Sequence, residues 1–126
     1  MPVLEPLRGL RVVAAQAALD GAQWIGEVVV LRLAPDEAFG IDASAVILDD
    51  PDAIVEPEPG FVAAVLDPDE LLAVSDRIEW VLPEASDSLG QGKVAGVPAR
   101  ILMSAAPVLV VQAAYADELE RRLRWR

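Results

Sequence analysis

Pro-Asp occurs three times in this chain of 126 residues, at Pro35-Asp36, Pro51-Asp52 and Pro68-Asp69, and limits the possible folds more than any other feature. Proline presets φ for a turn or a first helical position, and aspartate bonds nearby backbone amides, so each pair closes one element and prepares another. The pairs stand sixteen and seventeen residues apart, too close and with too few shared positions for a repeat array, so they act as punctuation. Between them lie apolar runs of strand length.

Residues 25–33 contain Val28-Val29-Val30-Leu31, β-branched and too short for a helix, and Ala34-Pro35-Asp36-Glu37 closes the run with turn chemistry. A strand over 38–42 returns antiparallel as a hairpin. Residues 44–48 form a third short apolar run, ended by Asp49-Asp50-Pro51-Asp52. Earlier, Leu10 to Asp20 fits a strand or an Ala-rich helix, because Val12-Val13-Ala14-Ala15 satisfies both periods; the strand is preferred, and Gly21 stops either. Glu56-Pro57-Glu58-Pro59-Gly60 reads as a stiff, solvated surface loop, and Phe61 to Leu66 as a strand.

Asp67-Pro68-Asp69-Glu70 supplies an N-cap, a proline at the first helical position and a glutamate three residues after the cap, with acids at the positive end of the helix dipole. The stripe Leu71, Val74, Ile78, Val81 continues this helix to about residues 68–82, where Pro83 ends it. Val94 to Met103 reads as a strand whose Pro98 requires an edge position or a bulge, since proline cannot donate to a ladder. Val108 to Gln112 is another strand. A second helix covers about 113–125: Tyr115, Leu119 and Leu123 share one face, and Asp117 with Arg121, Glu118 with Arg122 and Glu120 with Arg124 make three acid-first i,i+4 pairs. Arg122, Arg124 and Arg126 suit its C-terminal dipole. The length and 54% hydrophobic content predict one α+β domain over 1–126.

Charge is unevenly distributed. From Asp36 to Asp87 there are fifteen acids against Arg77 alone, and the net charge is −11. Such a chain repels phosphate backbones and anionic lipid, which excludes nucleic acid and membrane surfaces as partners and leaves a protein partner or a second copy. No Cys and no His are present, so thiolate nucleophiles, disulfides, Cys/His zinc sites and imidazole bases are all absent. No secretory signal is visible, and the longest uncharged segment, Ile101 to Ala116, has sixteen residues with Pro107 inside it, below the ~20 of a spanning helix; a cytoplasmic protein is expected.

The Gly-rich stretch Gly90-Gln91-Gly92-Lys93-Val94-Ala95-Gly96 invites a phosphate-loop reading that fails on spacing. Asp87 and Val94 stand where a P-loop has glycine and Ser/Thr, and Gly90, Gly92 and Gly96 miss the dinucleotide pattern by one residue. A loop feeding a strand is the expected role. Asp49, Asp50, Asp52, Glu56 and Glu58 offer oxygen ligands to a divalent cation, but from Asp50 the fifth and twelfth EF-hand positions are Ile54 and Phe61, so a solvated acidic loop is the better account. Ser86 and Ser88 near Lys93 lack a recognisable serine–lysine spacing. Candidate interface residues are Lys93, Arg100 and Trp125: a positive spot beside an acidic half, and a tryptophan almost at the terminus. Trp24 and Trp80 are assigned to core packing.

The order of elements in the second half is a strand, a Pro-Asp-started helix, a polar loop and a Gly-rich approach to Gly96-Val97-Pro98-Ala99-Arg100-Ile101-Leu102. The strand Val108 to Gln112 and a Tyr115-Ala116-Asp117 helix with late tryptophan follow. This order resembles the gamma subunit of heterotetrameric sarcosine oxidase and, more distantly, the folate-binding domain of glycine-cleavage aminomethyltransferases. The segment Leu31-Arg32-Leu33-Ala34-Pro35-Asp36-Glu37 also resembles one near the start of that subunit; together the likeness spans about residues 28–125. The resemblance implies a ferredoxin-like antiparallel sheet with two main helices. It also implies a subunit that packs against a catalytic partner and holds no flavin or catalytic residue of its own, with folate as the only cofactor it would bring. The alternatives are a small folate- or amine-binding enzyme domain and an acidic divalent-metal module.

Overall fold

The β-branched runs form short strands, and every ladder among the described residues is antiparallel. The computed structural model describes residues 3–125, so Arg126 lies outside the described residues. In chain order the elements are β1 (Glu5–Pro6), β2 (Gly9–Val13), α1 (Gln16–Asp20), β3 (Gln23–Ile25), β4 (Val29–Ala34), β5 (Glu37–Ile41), β6 (Ala45–Ile47), β7 (Ile54–Pro57), β8 (Phe61–Val65), α2 (Pro68–Ser75), β9 (Ser88–Val94), β10 (Val97–Met103), β11 (Val108–Gln112) and α3 (Ala116–Arg122). The fold is α+β, and no described helix is long and apolar enough to cross a membrane. The chain divides into two compact units: Leu7–Pro59 forms one, and the segments up to Pro6 and from Gly60 form the other.

In the Leu7–Pro59 unit a four-stranded sheet runs β4-β5-β2-β7, and β3 pairs with β6 as a separate ribbon. The hairpin expected around Pro35-Asp36 is present as β4 and β5, with Ala34 opposite Glu37. The ambiguous stretch 10–20 contains both expected forms. β2 ends at Val13 and α1 begins at Gln16, because the Asp50 carboxylate accepts the Ala15 N–H at 2.8 Å and draws the backbone out of the ladder. Val12, Ala14, Ala18, Leu19 and Ala38 are buried together, with Trp24 and Val46 against them.

Two expectations are corrected in this unit. The strand expected over 25–33 is split: Ile25 ends β3 opposite Ala45, Gly26 takes a φ of 115°, and Val29 opens β4 opposite Ile41. Glu56 and Pro57, read as loop, are the last residues of edge strand β7, which pairs with β2 through Arg11 opposite Glu56 and Leu10 opposite Pro57. Arg11 holds this edge by bridging Glu37 at 2.5 Å and Glu56 at 3.2 Å. A proline and a glutamate at an exposed edge discourage further strand pairing, so their composition fits a strand at this position as well as a loop.

The second unit is a five-stranded sheet ordered β1-β8-β11-β10-β9. Alternation turns Val62 and Ala64 of β8, Leu109 and Val111 of β11, and Val97, Ala99 and Ile101 of β10 to one face, where they pack with Val74, Leu119 and Trp125. The α2 start is as expected: Asp67 accepts the Glu70 N–H and Glu70 accepts the Asp67 N–H, both at 2.8 Å. Its end is not. α2 stops at Ser75, seven residues short of 82: the Val74 carbonyl takes the Arg77 N–H in a tighter i−3 bond at 2.9 Å, and the Arg77 carbonyl accepts the N–H of Ala95 at 2.8 Å rather than one from a further helical turn. Leu71, Val74 and Ile78 still reach the core, whereas Val81 is 88% exposed.

The last helix is also shorter than 113–125. Ala113–Tyr115 forms a 3₁₀ turn, α3 runs to Arg122, and the chain then leaves through a left-handed residue, Arg124, at φ 60°. Trp125 N–H donates to the Glu120 carbonyl at 2.8 Å and Arg124 N–H to that of Arg121 at 3.1 Å, the Schellman pattern. Of the three expected ion pairs, Glu118 with Arg122 is present. Arg124 lies beyond the helix.

Candidate functional site

Gly90 to Met103 is not a loop followed by one strand. It contributes to both arms of a hairpin, β9 and β10, joined by Ala95-Gly96, with Val94 opposite Val97. Both turn residues have positive φ, 49° and 82°, the two-residue geometry that matches strand twist. Glycine accepts this freely; Ala95 adopts it at a cost of about 1 kcal/mol. Side and main chains from the ends of both helices hold the turn: Arg77 through its carbonyl, and Arg122 through Nη1 to the Ala95 carbonyl at 2.6 Å. Arg122 in turn is paired with Glu118.

The glycines of β9 serve an aromatic ring. Gly90 and Gly92 are two residues apart and face the core side of the sheet, opposite Ile101 and Ala99. Trp80 lies on them so closely that a Cβ at either would meet its ring inside 3.0 Å. Its Nε1–H donates to the Lys93 carbonyl at 2.9 Å. Trp80 is thus part of the packing, as expected, and it explains why this strand carries glycine.

Pro98 is corrected in the same way. β10 lies between β9 and β11, so it is not an edge strand; β9 is. In a two-residue hairpin the flanking pair Val94/Val97 exchanges ladder bonds, and the next pair, Lys93/Pro98, does not. The nitrogen at 98 therefore points away from β9, while pairing with β11 begins only at Arg100, so no ladder bond is lost.

Lys93 and Arg100 come together. Lys93 is opposite Pro98 and Arg100 is two residues further along β10, which makes the two cations diagonal neighbours on the face away from Trp80. They line an open groove of about 390 Å³ with Gln91, Pro98, Gln112 and Tyr115. Arg100 Nε donates to Gln91 Oε1 at 3.0 Å, and its guanidinium carbon lies 5.8 Å from the centre of the Phe61 ring. Neither cation has a carboxylate partner among the described residues. Lys93 also borders a second groove, of about 430 Å³, with Arg77, Glu79, Trp80, Ala95 and Gly96.

Trp125 does not join them. It is 8% exposed and packs in the core with Leu119, so the third expected interface residue is a packing residue, placed there by the Schellman turn. Gln91 of β9, Gln112 at the end of β11 and Tyr115 of the 3₁₀ turn, which line the Lys93–Arg100 groove, carried no sequence signal. Ser88 and Lys93 are an odd number of residues apart on β9 and so face opposite sides; Ser88 Oγ donates to the Ala85 carbonyl. Ser86 is in the exposed segment before that strand.

Among the described residues the acids Asp49, Asp50, Asp52, Glu56 and Glu58 are not gathered into a group of three or more. Asp50 is committed to backbone: its carboxylate accepts from Ala15 N–H at 2.8 Å and from Asp52 N–H at 2.9 Å, and these bonds, the first foremost, hold its pKa below the usual carboxylate range. The lowered folded-state value means that this stabilisation is complete above the unfolded value of about 3.9 and is lost as pH falls through the folded one. Asp50→Ala is expected to lower the melting temperature at pH 7, with the gap to wild type closing in acid. A gap unchanged from pH 7 to pH 2 would assign the loss to another cause.

No family model matches the chain, and no curated protein matches it.

Proposed function

We propose that this chain is a non-catalytic binding or assembly subunit that engages a protein partner or a second copy of itself through the Lys93–Arg100 groove. The observation that carries the reading is the pair of neighbouring cations, without a carboxylate partner among the described residues, in a chain of net charge −11. Charge of opposite sign on a partner would steer and orient docking there, and the acidic remainder disfavours nucleic acid and anionic membrane. A cytoplasmic setting, with no cofactor held by the chain itself, belongs to the same reading.

Its more specific form is a small subunit like the gamma subunit of a folate-linked amine oxidase. The order β8, α2, the β9–β10 hairpin, β11 and α3 supports this, as does the packing of both helices in one core with the sheet. A ferredoxin-like sheet would place its second helix between the third and fourth strands. Here β9, β10 and β11 run as a meander and α3 follows them, so only the two-helix, one-sheet part of that arrangement supports it.

Sizing with light scattering and pull-down test the reading. Wild type is expected to run as an oligomer or to retain a partner, and Lys93→Glu with Arg100→Glu to lose it while keeping its circular dichroism spectrum. A strictly monomeric wild type that retains no partner would sink the proposal. The groove volume also falls in the range of about 300–1,000 Å³ typical of small-ligand sites, which favours a folate- or amine-binding domain as the second reading. A folate at 100 times its dissociation constant would add about 2.7 kcal/mol to stability in a thermal-shift assay.

A further inference from the structure

The Lys93–Arg100 groove has the parts of a carboxylate site, and we propose that its ligand is a planar carboxylate gripped by Arg100. The inference rests on the groove named in the proposed function and specifies what enters it.

Arg100 is fixed at two points. Its Nε–H is spent on Gln91 Oε1, and its guanidinium lies over the Phe61 ring, itself 7% exposed. These contacts set the plane of the guanidinium and leave the Nη1 and Nη2 groups with no acceptor among the described residues. Two parallel N–H donors in one plane match the two oxygens of a carboxylate. A fixed fork also loses less side-chain entropy on binding than a mobile one.

Lys93, diagonal to Arg100 on the same face, adds a second positive charge, and Gln112 and Tyr115, side chains with hydrogen-bonding groups, line the same groove. Phosphate fits less well. Phosphate sites draw on clustered backbone N–H groups at a helix N-terminus or a nest, and this groove is lined by strand residues and Tyr115. A dianion would also meet more repulsion from a chain of net charge −11.

The same carboxylate chemistry has two sources: a small organic acid, or the C-terminus of a peptide or protein. The test titrates the isotope-labelled full chain with sodium glutarate, following amide and Arg Nε resonances, at ionic strength matched with sodium chloride. A peptide without acidic side chains, as free acid and as C-terminal amide, forms the second arm, and inorganic phosphate the third. Saturable shifts confined to Gln91, Lys93, Arg100, Gln112 and Tyr115 are expected with glutarate, with the free-acid peptide, or with both; whichever binds identifies the source.

Arg100→Lys keeps the charge and removes the fork, and is expected to weaken binding about tenfold or more. Lys93→Gln should weaken it less. Equal binding by wild type and Arg100→Lys would overturn the proposal, as would phosphate matching glutarate, the amide peptide matching the free acid, or no localised shift from any probe. Loss of carboxylate binding with the oligomer or partner intact would overturn only this inference, whereas a monomer that binds glutarate would overturn only the assembly reading.

Discussion

Trp125→Ala is expected to destabilise the protein by about 3–5 kcal/mol, the usual cost of truncating a large buried aromatic. The side chain is 8% exposed and belongs to the cluster of Leu119, Val74, Val97 and Ile101, so truncation removes both its transfer free energy and the contacts of its neighbours. Near the end of a chain a residue would ordinarily fray. Here the turn after α3 prevents it, with Trp125 N–H on the Glu120 carbonyl and Arg124 held left-handed between them. Arg124→Gly should therefore act in the opposite direction, adding about 0.5–1 kcal/mol by removing Cβ strain at a position where glycine is the favoured residue. Urea unfolding of the two variants checks both signs. A Trp125→Ala loss below about 1 kcal/mol would show that the tryptophan is not seated in the core, and would return it to the surface as an interface residue.

Gly92→Val is expected to cost about 2–3 kcal/mol, although valine is a better strand residue than glycine. A Cβ at 92 falls inside 3.0 Å of the Trp80 indole, so either the ring leaves and loses its bond to the Lys93 carbonyl, or β9 shifts against β10. A double-mutant cycle isolates this cause. In a Trp80→Ala background Gly92→Val should be nearly neutral or stabilising, giving a coupling of about 2 kcal/mol. The same cost in both backgrounds would mean that the glycine serves backbone conformation rather than ring packing. Gly92 itself has no positive φ, which is why ring packing is the stronger account.

Both results turn on residues whose type was plain in the sequence and whose role was not. Glycines at 90, 92 and 96 could be excluded as a phosphate loop from spacing alone, yet no local pattern links 90 and 92 to a tryptophan some ten residues earlier. The contact exists because α2 stops at Ser75 and the following segment folds back over β9. A helical stripe at Leu71, Val74, Ile78 and Val81 suggested that the helix continues. Periodicity records which residues prefer burial; it cannot record that the Arg77 carbonyl finds a better partner in Ala95, far along the chain.

The candidate site was half legible. Lys93 and Arg100 stood out because cations are scarce in the middle of the chain, and the structure brings them together; Trp125 stood out for its position and is elsewhere. Gln91, Gln112 and Tyr115 gave no signal, because polar residues at the ends and edge of a sheet are ordinary until strand register decides which share a groove.

Where local chemistry is sufficient, the sequence alone determined the outcome. The capping box at Asp67 and the turn at Pro35-Asp36 involve partners within a few residues, and the strands at 61–65 and 108–112 are short continuous apolar runs, too short for helices, so these elements are written locally. Tertiary structure decided the rest: where α2 stops, that β9 rather than β10 is the edge, that Trp125 is core, and that two scattered cations are neighbours. The helix end depends on the bond from Ala95 to Arg77, the edge on the pairing of β10 with β11, and the burial of Trp125 on Val74, Val97 and Ile101, contacts whose stabilisation arises only after separate segments have met; the two cations become neighbours only once the hairpin register is set.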